Sequence, residues 1–369
     1  MLNKLSIKKL ATVLGVIFIA SGLISGVIFF MQYAESGFTL DALETYENNV
    51  DVKETADLLG IDTIRVETTS SDITLISDDS NEIKAHFYGG YSCSSKSFKP
   101  ELIVSKDGDK LLVKVNESVN GVMLSFISNL KLDVYIPSQF AESVEVKSAS
   151  GTVESGELSV KDFSVETSSG DIETDFINAE NALFDTNSGE MKFKGRFTGL
   201  NAKSTSGDIV SDTVEAVTSK FESTSGSIRF NGKYTELSVK STSGDISSDS
   251  VEAATSELES SSGEIAISGN LAAITAMTTS GDIILSSSEK PQTIQIKTNS
   301  GETRLKLPDS AGFKLACKSS SGEINSDFPV TVITTNGKYE NEHELNGTVG
   351  DGSGSVTITS SSGDIRILN

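Results

Sequence analysis

The second half of the chain repeats one short pattern of apolar and polar positions. A Ser-Gly-Asp-Ile tetrapeptide, or a close variant of it, marks each repeat; apolar residues stand five positions before its glycine and, except at Thr303, two positions after it. The residue three positions before the glycine is always Ser or Thr. Because side chains along a strand alternate between its two faces, positions −5, −3 and +2 are predicted to point inward from strands on either side of a turn. The turn glycines are Gly151, Gly170, Gly189, Gly207, Gly226, Gly244, Gly263, Gly281, Gly301, Gly322 and Gly363.

The spacing of these glycines predicts a stack of coils. From Gly170 to Gly281, successive turn glycines lie 19 and 18 residues apart in alternation, so the repeating unit is a 37-residue pair of coils. One coil cannot bury its own apolar face, whereas stacked coils share a continuous core. The predicted fold class is therefore all-β: a β-solenoid, or β-helix, of 18–19-residue coils with two to three short strands in each.

The paired repeat also predicts how the interior is filled and how the chain turns. Large side chains on alternate coils face small ones on the coils between them, so the core fills without clash. Glycine at each turn is expected to supply a positive φ. The large residues are Phe184, Phe193, Phe221 and Phe230, with Ala202 and Ser211 between them, and a second corner is expected alternately at Gly195, Gly232 and Gly269 and at Asp175, Asp212 and Asp249.

A membrane segment is predicted near the N-terminus. Residues 10–31 carry no charge, and as a helix they would span about 33 Å, enough to cross a hydrocarbon core of about 30 Å. Lys4, Lys8 and Lys9 precede this segment and acidic residues follow it, so the positive-inside rule predicts a cytoplasmic N-terminus and an extracytoplasmic remainder. A cleaved signal peptide is the alternative, although its apolar region would be shorter and would end in small residues.

These patterns divide the chain into six segments. The predicted segments are a cytoplasmic basic tail (1–9), a single-pass transmembrane helix (10–31), a juxtamembrane linker or weak helix (32–59), a β-rich N-terminal part (60–140), the solenoid repeats (141–335), and a C-terminal hairpin cap with the last repeat (336–369). Within the β-rich part, strands are expected near 61–66, 101–104, 110–115 and 130–136, and residues 69–73 resemble a degenerate repeat turn.

Charge and cysteine content narrow the function. The formal net charge is −22, and none of the 52 acidic residues lies in the first 31 positions. A field of this sign repels phosphate backbones, so no nucleic-acid partner is expected, and cations or basic polymers are favoured instead. Two cysteines form no disulfide framework. Cys317 is predicted to be a small buried residue, while Cys93 could pair or react.

The residue after the turn glycine, which is acidic in most coils, is the sharpest candidate for a site. Stacked unit charges about 4.8 Å apart repel by roughly 0.9 kcal/mol in water. This repulsion is tolerated if the carboxylates cap turn amides, or relieved if a cation such as Ca²⁺ bridges them. The stacked row consists of Asp171, Glu190, Asp208, Ser227, Asp245, Glu264, Asp282, Glu302 and Glu323, and the hypothetical cation ladder would consist of its aspartates, Asp171, Asp208, Asp245 and Asp282.

No catalytic constellation emerges from the sequence. The two histidines, His86 and His343, have no His or Cys partner at zinc spacing, and both are expected on the surface. A glycan-cleaving enzyme would need two carboxylates set apart by their environment. Here the acids are equivalent in every coil, so we expect no enzymatic activity and no cofactor, with a carbohydrate-active β-helix enzyme as the alternative.

A known family shares several of these motifs. Residues 132–137 read Leu-Asp-Val-Tyr-Ile-Pro, the Ser-Gly-Asp-Ile turns follow, and Gly350-Asp351-Gly352 precedes a final turn at 362–366. This combination resembles the bacterial putative-adhesin family of unknown function, which includes LiaG-type membrane-anchored envelope proteins. The resemblance covers roughly residues 60–369 and implies a β-solenoid outside the membrane, without catalytic residues to carry over.

Together these features predict a membrane-anchored, extracytoplasmic β-solenoid of the bacterial cell envelope. Its expected role is binding or scaffolding, as an adhesin or in envelope-stress sensing, and the expected partners are the membrane and cell-wall or capsule polymers or an envelope protein. A purely structural spacer is the other alternative.

Overall fold

A computed structural model describes residues 46–95, 98–117, 126–332 and 343–369. These residues contain strands and no helix, and none of them forms a helix that could cross a membrane. The predicted transmembrane helix, residues 10–31, lies outside the described residues. Residues 46–57, for which the sequence pattern predicts a linker or weak helix, instead form the first strand.

The described strands are β1 (Tyr46–Asp57), β2 (Thr63–Thr68), β3 (Asp72–Asp78), β4 (Glu82–Cys93), β5 (Glu101–Asp107), β6 (Lys110–Asn116), β7 (Phe126–Pro137), β8 (Ser143–Ser148), β9 (Val153–Ser155), β10 (Leu158–Thr167), β11 (Ile172–Thr186), β12 (Met191–Ser204), β13 (Ile209–Ser223), β14 (Ile228–Ser241), β15 (Ile246–Ser260), β16 (Ile265–Thr278), β17 (Ile283–Ser287), β18 (Thr293–Thr298), β19 (Thr303–Lys306), β20 (Phe313–Ser319), β21 (Ile324–Ser326), β22 (Thr331–Val332), β23 (Glu344–Val349), β24 (Gly354–Ser360) and β25 (Ile365–Leu368).

The chain forms two compact units. Of the smaller unit, the structure describes residues 46–48, 91–95, 98 and 126–128. There the Tyr91 hydroxyl donates a hydrogen bond to the Phe98 carbonyl at 3.2 Å. The larger unit contains the other described residues and is a β-solenoid.

The solenoid is a stack of parallel strands in the predicted register. Each strand from β10 to β16 pairs in parallel with the next, so the residues before and after successive turn glycines align coil by coil. The side chains at −5, −3 and +2 are buried in the coils from Gly151 to Gly363, which confirms the inward ladders. Ile324 is the exception, because its coil is the outermost in the stack and leaves it half-buried.

The turn glycines are needed for a different reason from the one predicted. In the described part of the chain, none of them has a positive φ. Instead, a Cβ added to Gly226 would lie 2.1 Å from the carbonyl oxygen of Gly207 in the preceding coil. The expectation of positive φ at these turns was therefore wrong. Only a residue without a side chain lets two turn backbones stack this closely.

The second corner bends a strand without ending it. From β11 to β16 each coil contributes one strand of 14 or 15 residues, rather than the two to three short strands predicted. The register shifts within these strands, for example between Ser211 and Val214, mark bulges where the chain turns the corner. Gly232, at this corner, has a φ of 142°, so here the glycine does supply a conformation that other residues rarely adopt.

Large and small residues alternate inside the core as predicted. The rings of Phe184 and Phe193, on either side of the Gly189 turn, stack at 4.5 Å, and those of Phe221 and Phe230, on either side of the Gly226 turn, stack at 6.0 Å. Phe193 and Phe221 also face each other, at 6.1 Å, across the intervening coil. The intervening coil contributes only the small side chains of Ala202 and Ser211 between these rings, so the core packs without steric overlap.

The inward hydroxyl at −3 accepts a hydrogen bond from the turn glycine's amide in most coils, although Thr298, before Gly301, has no such partner. Ser223 Oγ accepts a hydrogen bond from the Gly226 amide at 2.9 Å, and Thr186 Oγ1 accepts one from the Gly189 amide at 3.1 Å. Both hydroxyls are buried, so water cannot replace them.

We expect Ser223→Ala to lower the free energy of unfolding by about 1–2 kcal/mol, because it leaves the buried Gly226 amide without an acceptor. Ser223→Thr is the matched control, since threonine fills the same role at position 186. Urea unfolding measures both variants. Equal losses for alanine and threonine would show that the hydroxyl is not the stabilising group.

The ends of the solenoid do not follow chain order. At the C-terminal end, β24 lies between β18 and β20 and is parallel to both, while β25 lies between β19 and β21. The last coil of the chain is therefore inserted beneath the coil formed by β20 and β21. β23 then pairs antiparallel with β20 and with β22, and covers that outermost coil.

The N-terminal end shows a similar insertion. The coil of β2 and β3 lies between the later coil of β6 and β7 and the coil of β8 and β9. β5 pairs antiparallel with β6. Residues 69–73 do form a repeat turn, in which Ser71 takes the place of the glycine beneath Gly151.

Candidate functional site

The turns of the solenoid present a continuous polar edge. The two residues before each turn glycine, at −2 and −1, are exposed in every coil from Gly170 to Gly363, and all are Ser, Thr or Asn. We call these residues the hydroxyl edge. They are 168–169, 187–188, 205–206, 224–225, 242–243, 261–262, 279–280, 299–300, 320–321 and 361–362. Stacking at about 4.8 Å repeats the same groups along one line.

A row of acidic side chains runs beside the hydroxyl edge and caps the turns. Asp208 Oδ1 accepts a hydrogen bond from the Ser227 amide at 2.8 Å, and Asp245 Oδ1 accepts one from the Glu264 amide at 2.8 Å. The other two aspartates of the hypothetical cation ladder make the same contact. Each of these carboxylates therefore bonds an amide on the adjacent coil.

Substitutions at Asp245 distinguish a role in capping the turn amide from a role in binding a cation. We expect Asp245→Asn to leave the melting temperature nearly unchanged, because asparagine keeps an acceptor for the Glu264 amide. Asp245→Ala should cost about 1 kcal/mol, as for the loss of other side-chain caps. Differential scanning calorimetry with either EDTA or Ca²⁺ completes the test. If Ca²⁺ raises the melting temperature of the unmodified protein but not that of Asp245→Asn, the result would favour the cation ladder.

A second surface is a groove that follows the second corner. We number the faces of each coil along the chain: the first precedes the turn glycine, the second lies between the turn and the second corner, and the third follows the second corner. The groove lies on the third face. It has a volume of about 930 Å³. One row of outward side chains in it alternates in charge: Arg196 Nε lies 3.0 Å from Glu215 Oε2, and Lys233 Nζ lies 2.9 Å from Glu252 Oε2. The hydrogen bond to Glu252 raises the pKa of Lys233. We call this feature the third-face groove.

The floor and far wall of the third-face groove are small or apolar. Phe197, Ala216 and Tyr234 form part of the floor with their side chains mostly inside the core, where burial raises the pKa of Tyr234. Along the wall, Val217 is 48% exposed, the largest apolar side chain there, and Ala254 is exposed two coils further on. The groove thus combines charged and apolar groups.

The remaining candidate residues are not brought together. His86 Nε2 lies 2.9 Å from Asp51 Oδ1, and His343 Nδ1 lies 2.9 Å from the Gly322 carbonyl. Both cysteines are free and buried; burial raises the pKa of Cys317 to about 12, which confirms its assignment as a small core residue. Cys93 Sγ contacts the Ser95 carbonyl. Among the described residues, no group of three or more His, Cys, Asp and Glu side chains could hold a metal ion.

Sequence reasoning missed a buried carboxylate at the N-terminal end of the stack. Glu117, only 9% exposed, accepts hydrogen bonds at 2.7 Å from the amides of both Thr69 and Ser70. Its other oxygen accepts from the hydroxyls of Ser70 and Ser71, at 2.9 and 2.7 Å. In later coils the matching amides donate to carbonyls of the preceding turn, as Ser150 does to Thr69. Glu117 supplies the acceptors that a preceding turn would provide.

Comparison with known proteins identifies a family match. The family model described as Toastrack DUF4097 matches residues 61–233 and 194–368. No curated protein matches the chain. Among solved structures, a "putative cell adhesion protein" from Clostridium sporogenes is 12% identical, with 88% of this chain and 99% of that chain covered and a TM-score of 0.19. A "putative adhesin" from Parabacteroides merdae is 14% identical (72% and 96% covered, TM-score 0.38), and a "putative lipid binding protein" from Parabacteroides distasonis is 16% identical (71% and 96%, TM-score 0.36).

Proposed function

We propose that this chain, which belongs to the Toastrack DUF4097 family, is a binding or scaffold protein of the bacterial cell envelope. Its uncharged segment at 10–31 anchors it in the membrane, and the solenoid stands outside the cytoplasm. There it contacts a polymer of the wall or capsule, for adhesion or for sensing envelope stress.

The observation that carries this proposal is the periodicity of the exposed surface. The hydroxyl edge presents the same kinds of groups in every coil, and the third-face groove repeats its groups in every second coil. A surface that repeats along one line suits a ligand that repeats along one line, because each added unit makes the same contact and multiplies the affinity.

The chemistry of the carboxylates supports binding over catalysis. An acid and base pair for glycan cleavage requires two carboxylates whose environments differ. Asp171, Asp208, Asp245 and Asp282 instead make the same backbone contact in their coils. Their shared role is explained by the stacking of turns.

Co-sedimentation tests the proposed binding. The full chain, solubilised in detergent, is mixed with insoluble cell-wall material and, separately, with capsule polysaccharide coupled to beads. We expect saturable depletion of the protein from the supernatant without release of soluble sugars. Release of sugars would replace binding with catalysis, and a failure to bind any envelope polymer would favour the structural spacer.

A reporter fusion tests the proposed topology. A periplasmic-type reporter at the C-terminus should be active when the full chain is expressed in bacteria, because residues 4–9 hold the N-terminus inside. Activity of a cytoplasmic reporter at the same position would overturn the orientation.

A further inference from the structure

The third-face groove repeats every two coils rather than every coil. Residues 196–198 are Arg-Phe-Thr and residues 233–235, two coils on, are Lys-Tyr-Thr. On the coils that alternate with them, residues 215–217 are Glu-Ala-Val and residues 252–254 are Glu-Ala-Ala. Core packing accounts for the alternation of aromatic residues with alanine. It does not require the alternation of threonine with an apolar residue on the exposed wall.

This double period defines a length. Two coils at the spacing of neighbouring strands cover about 9.6 Å. The row of outward side chains runs from Asn178 through five coil steps to Asn270, or about 24 Å at the same spacing. Its charged members, from Arg196 to Glu252, cover three of these steps, or about 14 Å. A ligand that makes the same contacts with every coil pair would need a structural repeat as long as one coil pair.

We propose that the third-face groove binds an extended, neutral, β-linked glycan with one disaccharide for each pair of coils. An extended β-1,4-linked chain turns each sugar over relative to the last, so it repeats every second sugar, over a length close to two strand spacings. This inference rests on the proposed function and specifies its ligand and its surface.

The groups in the groove suit such a chain. The guanidinium of Arg196 and the ammonium of Lys233 donate hydrogen bonds to sugar oxygens, and the carboxylates of Glu215 and Glu252 accept them from sugar hydroxyls. The C–H faces of the rings pack on the apolar wall at Val217. The charged row balances two cations against two anions, and the net charge of −22 disfavours a polyanion, so the proposed glycan is neutral.

Replacing the ion-pair contacts of the groove by hydrogen bonds to a glycan should cost little stability. The side chains of Arg196 and Glu215 are 62% and 53% exposed, and those of Lys233 and Glu252 are 67% and 55% exposed. Ion pairs this exposed contribute little to stability. A glycan can therefore share their donors and acceptors without breaking the fold.

Two soluble glucans of equal composition test the period. Cellohexaose is β-1,4-linked and extended, whereas maltohexaose is α-1,4-linked and curved. We expect titration calorimetry of the full chain, in a zwitterionic detergent without sugar groups, to detect cellohexaose binding at least tenfold tighter than maltohexaose binding, a difference of about 1.4 kcal/mol. Equal affinity for the two hexaoses, or no cellohexaose binding, would overturn the proposed period.

Surface variants test the location. Replacing both Arg196 and Lys233 with alanine should weaken cellohexaose binding about tenfold or more, because two charged donors are lost. Lys192→Ala with Arg229→Ala is the matched control, since it removes two cations that are also more than half exposed, each from an ion pair on the second face. Val217→Trp, at an exposed position, should obstruct the groove and weaken binding with an unchanged circular dichroism spectrum.

The two proposals fail separately. If the full chain co-sediments with wall material, but cellohexaose does not compete and the groove variants bind that material like the unmodified protein, the groove inference is wrong and the binding function stands. If no envelope polymer is bound at all, the proposed function fails first.

Discussion

Replacing Gly226 with alanine is expected to destabilise the solenoid by about 3 kcal/mol, at the upper end of the cost of overpacking. The new Cβ would lie 2.1 Å from the Gly207 carbonyl oxygen and 2.5 Å from its carbonyl carbon. Both are backbone atoms, so they cannot rotate away and the two coils would have to separate. Since each coil is stabilised by its neighbours, the substitution weakens the contact between two central coils of the array. The shift of the urea midpoint at constant slope measures this loss.

Gly156→Ala is the matched control for this prediction. A Cβ at Gly156 would have the Leu75 carbonyl oxygen, at 3.6 Å, as its nearest atom, which is an ordinary contact. We expect its effect to stay within about 0.5 kcal/mol. If the two alanine variants unfold at the same urea concentration, close stacking is not what requires glycine at the turns.

Glu117→Ala should produce the second large effect, a loss of about 3 kcal/mol at the N-terminal end of the solenoid. The substitution leaves the amides of Thr69 and Ser70 without the acceptor that they have at 2.7 Å. It also removes the acceptor of two hydroxyls. Hydrogen bonds to a charged group are stronger than those between neutral groups. The amides and hydroxyls that lose Glu117 cannot all form hydrogen bonds with water instead, because Ser71 is buried.

Hydrogen exchange measures this effect where it arises. The amides of Thr69 and Ser70 should exchange faster in Glu117→Ala, while those near Gly226 keep their protection because stability in a repeat array is local. Glu264→Ala, which removes an exposed acid beside a central turn, is the control. Equal exchange in the two variants would mean that the Glu117 carboxylate does not cap the stack.

The core of the solenoid could be predicted from the sequence because one pattern fixes it. Alternation along a strand and the fixed distance to the turn place Val165 and Ile172 inside, on either side of Gly170, and both are fully or almost fully buried. The same turn motifs carried the family resemblance, which the family match at 61–233 and 194–368 confirms.

The reason for the turn glycines could not be predicted in the same way. Sequence reasoning treats a glycine by its own backbone and so expects a positive φ. The actual constraint on Gly226 comes from Gly207, which belongs to another coil. A local pattern contains no information on how closely two stacked backbones approach.

The order of the coils at both ends was also beyond the pattern. Cys317 pairs with Ile358, and Ile358 pairs with Ile296, all at position −5 of their coils. Either later coil therefore presents the same inward side chains to the coil below it. The periodic pattern specifies the register of stacking but leaves the sequence of layers open, and the antiparallel strand β23 is part of what decides it.

The candidate site also contains residues that the sequence pattern indicates and residues that only the folded structure reveals. The alternating charges at 196, 215, 233 and 252 are visible in the sequence at the coil spacing, yet they attract notice only once the third face is known. Glu117 carries no sequence signal, because its turn lies outside the glycine series and its partners are 46 to 48 residues away.

The inserted C-terminal coil determines how the protein resists a pulling force. A coil at the free end of a stack could be peeled away through one ladder of hydrogen bonds, a few at a time. β24 and β25 are bonded on both sides, so tension applied at the C-terminus must shear two ladders together. A molecule attached at one end to a membrane and along its length to a wall polymer would meet such tension whenever the two layers move apart.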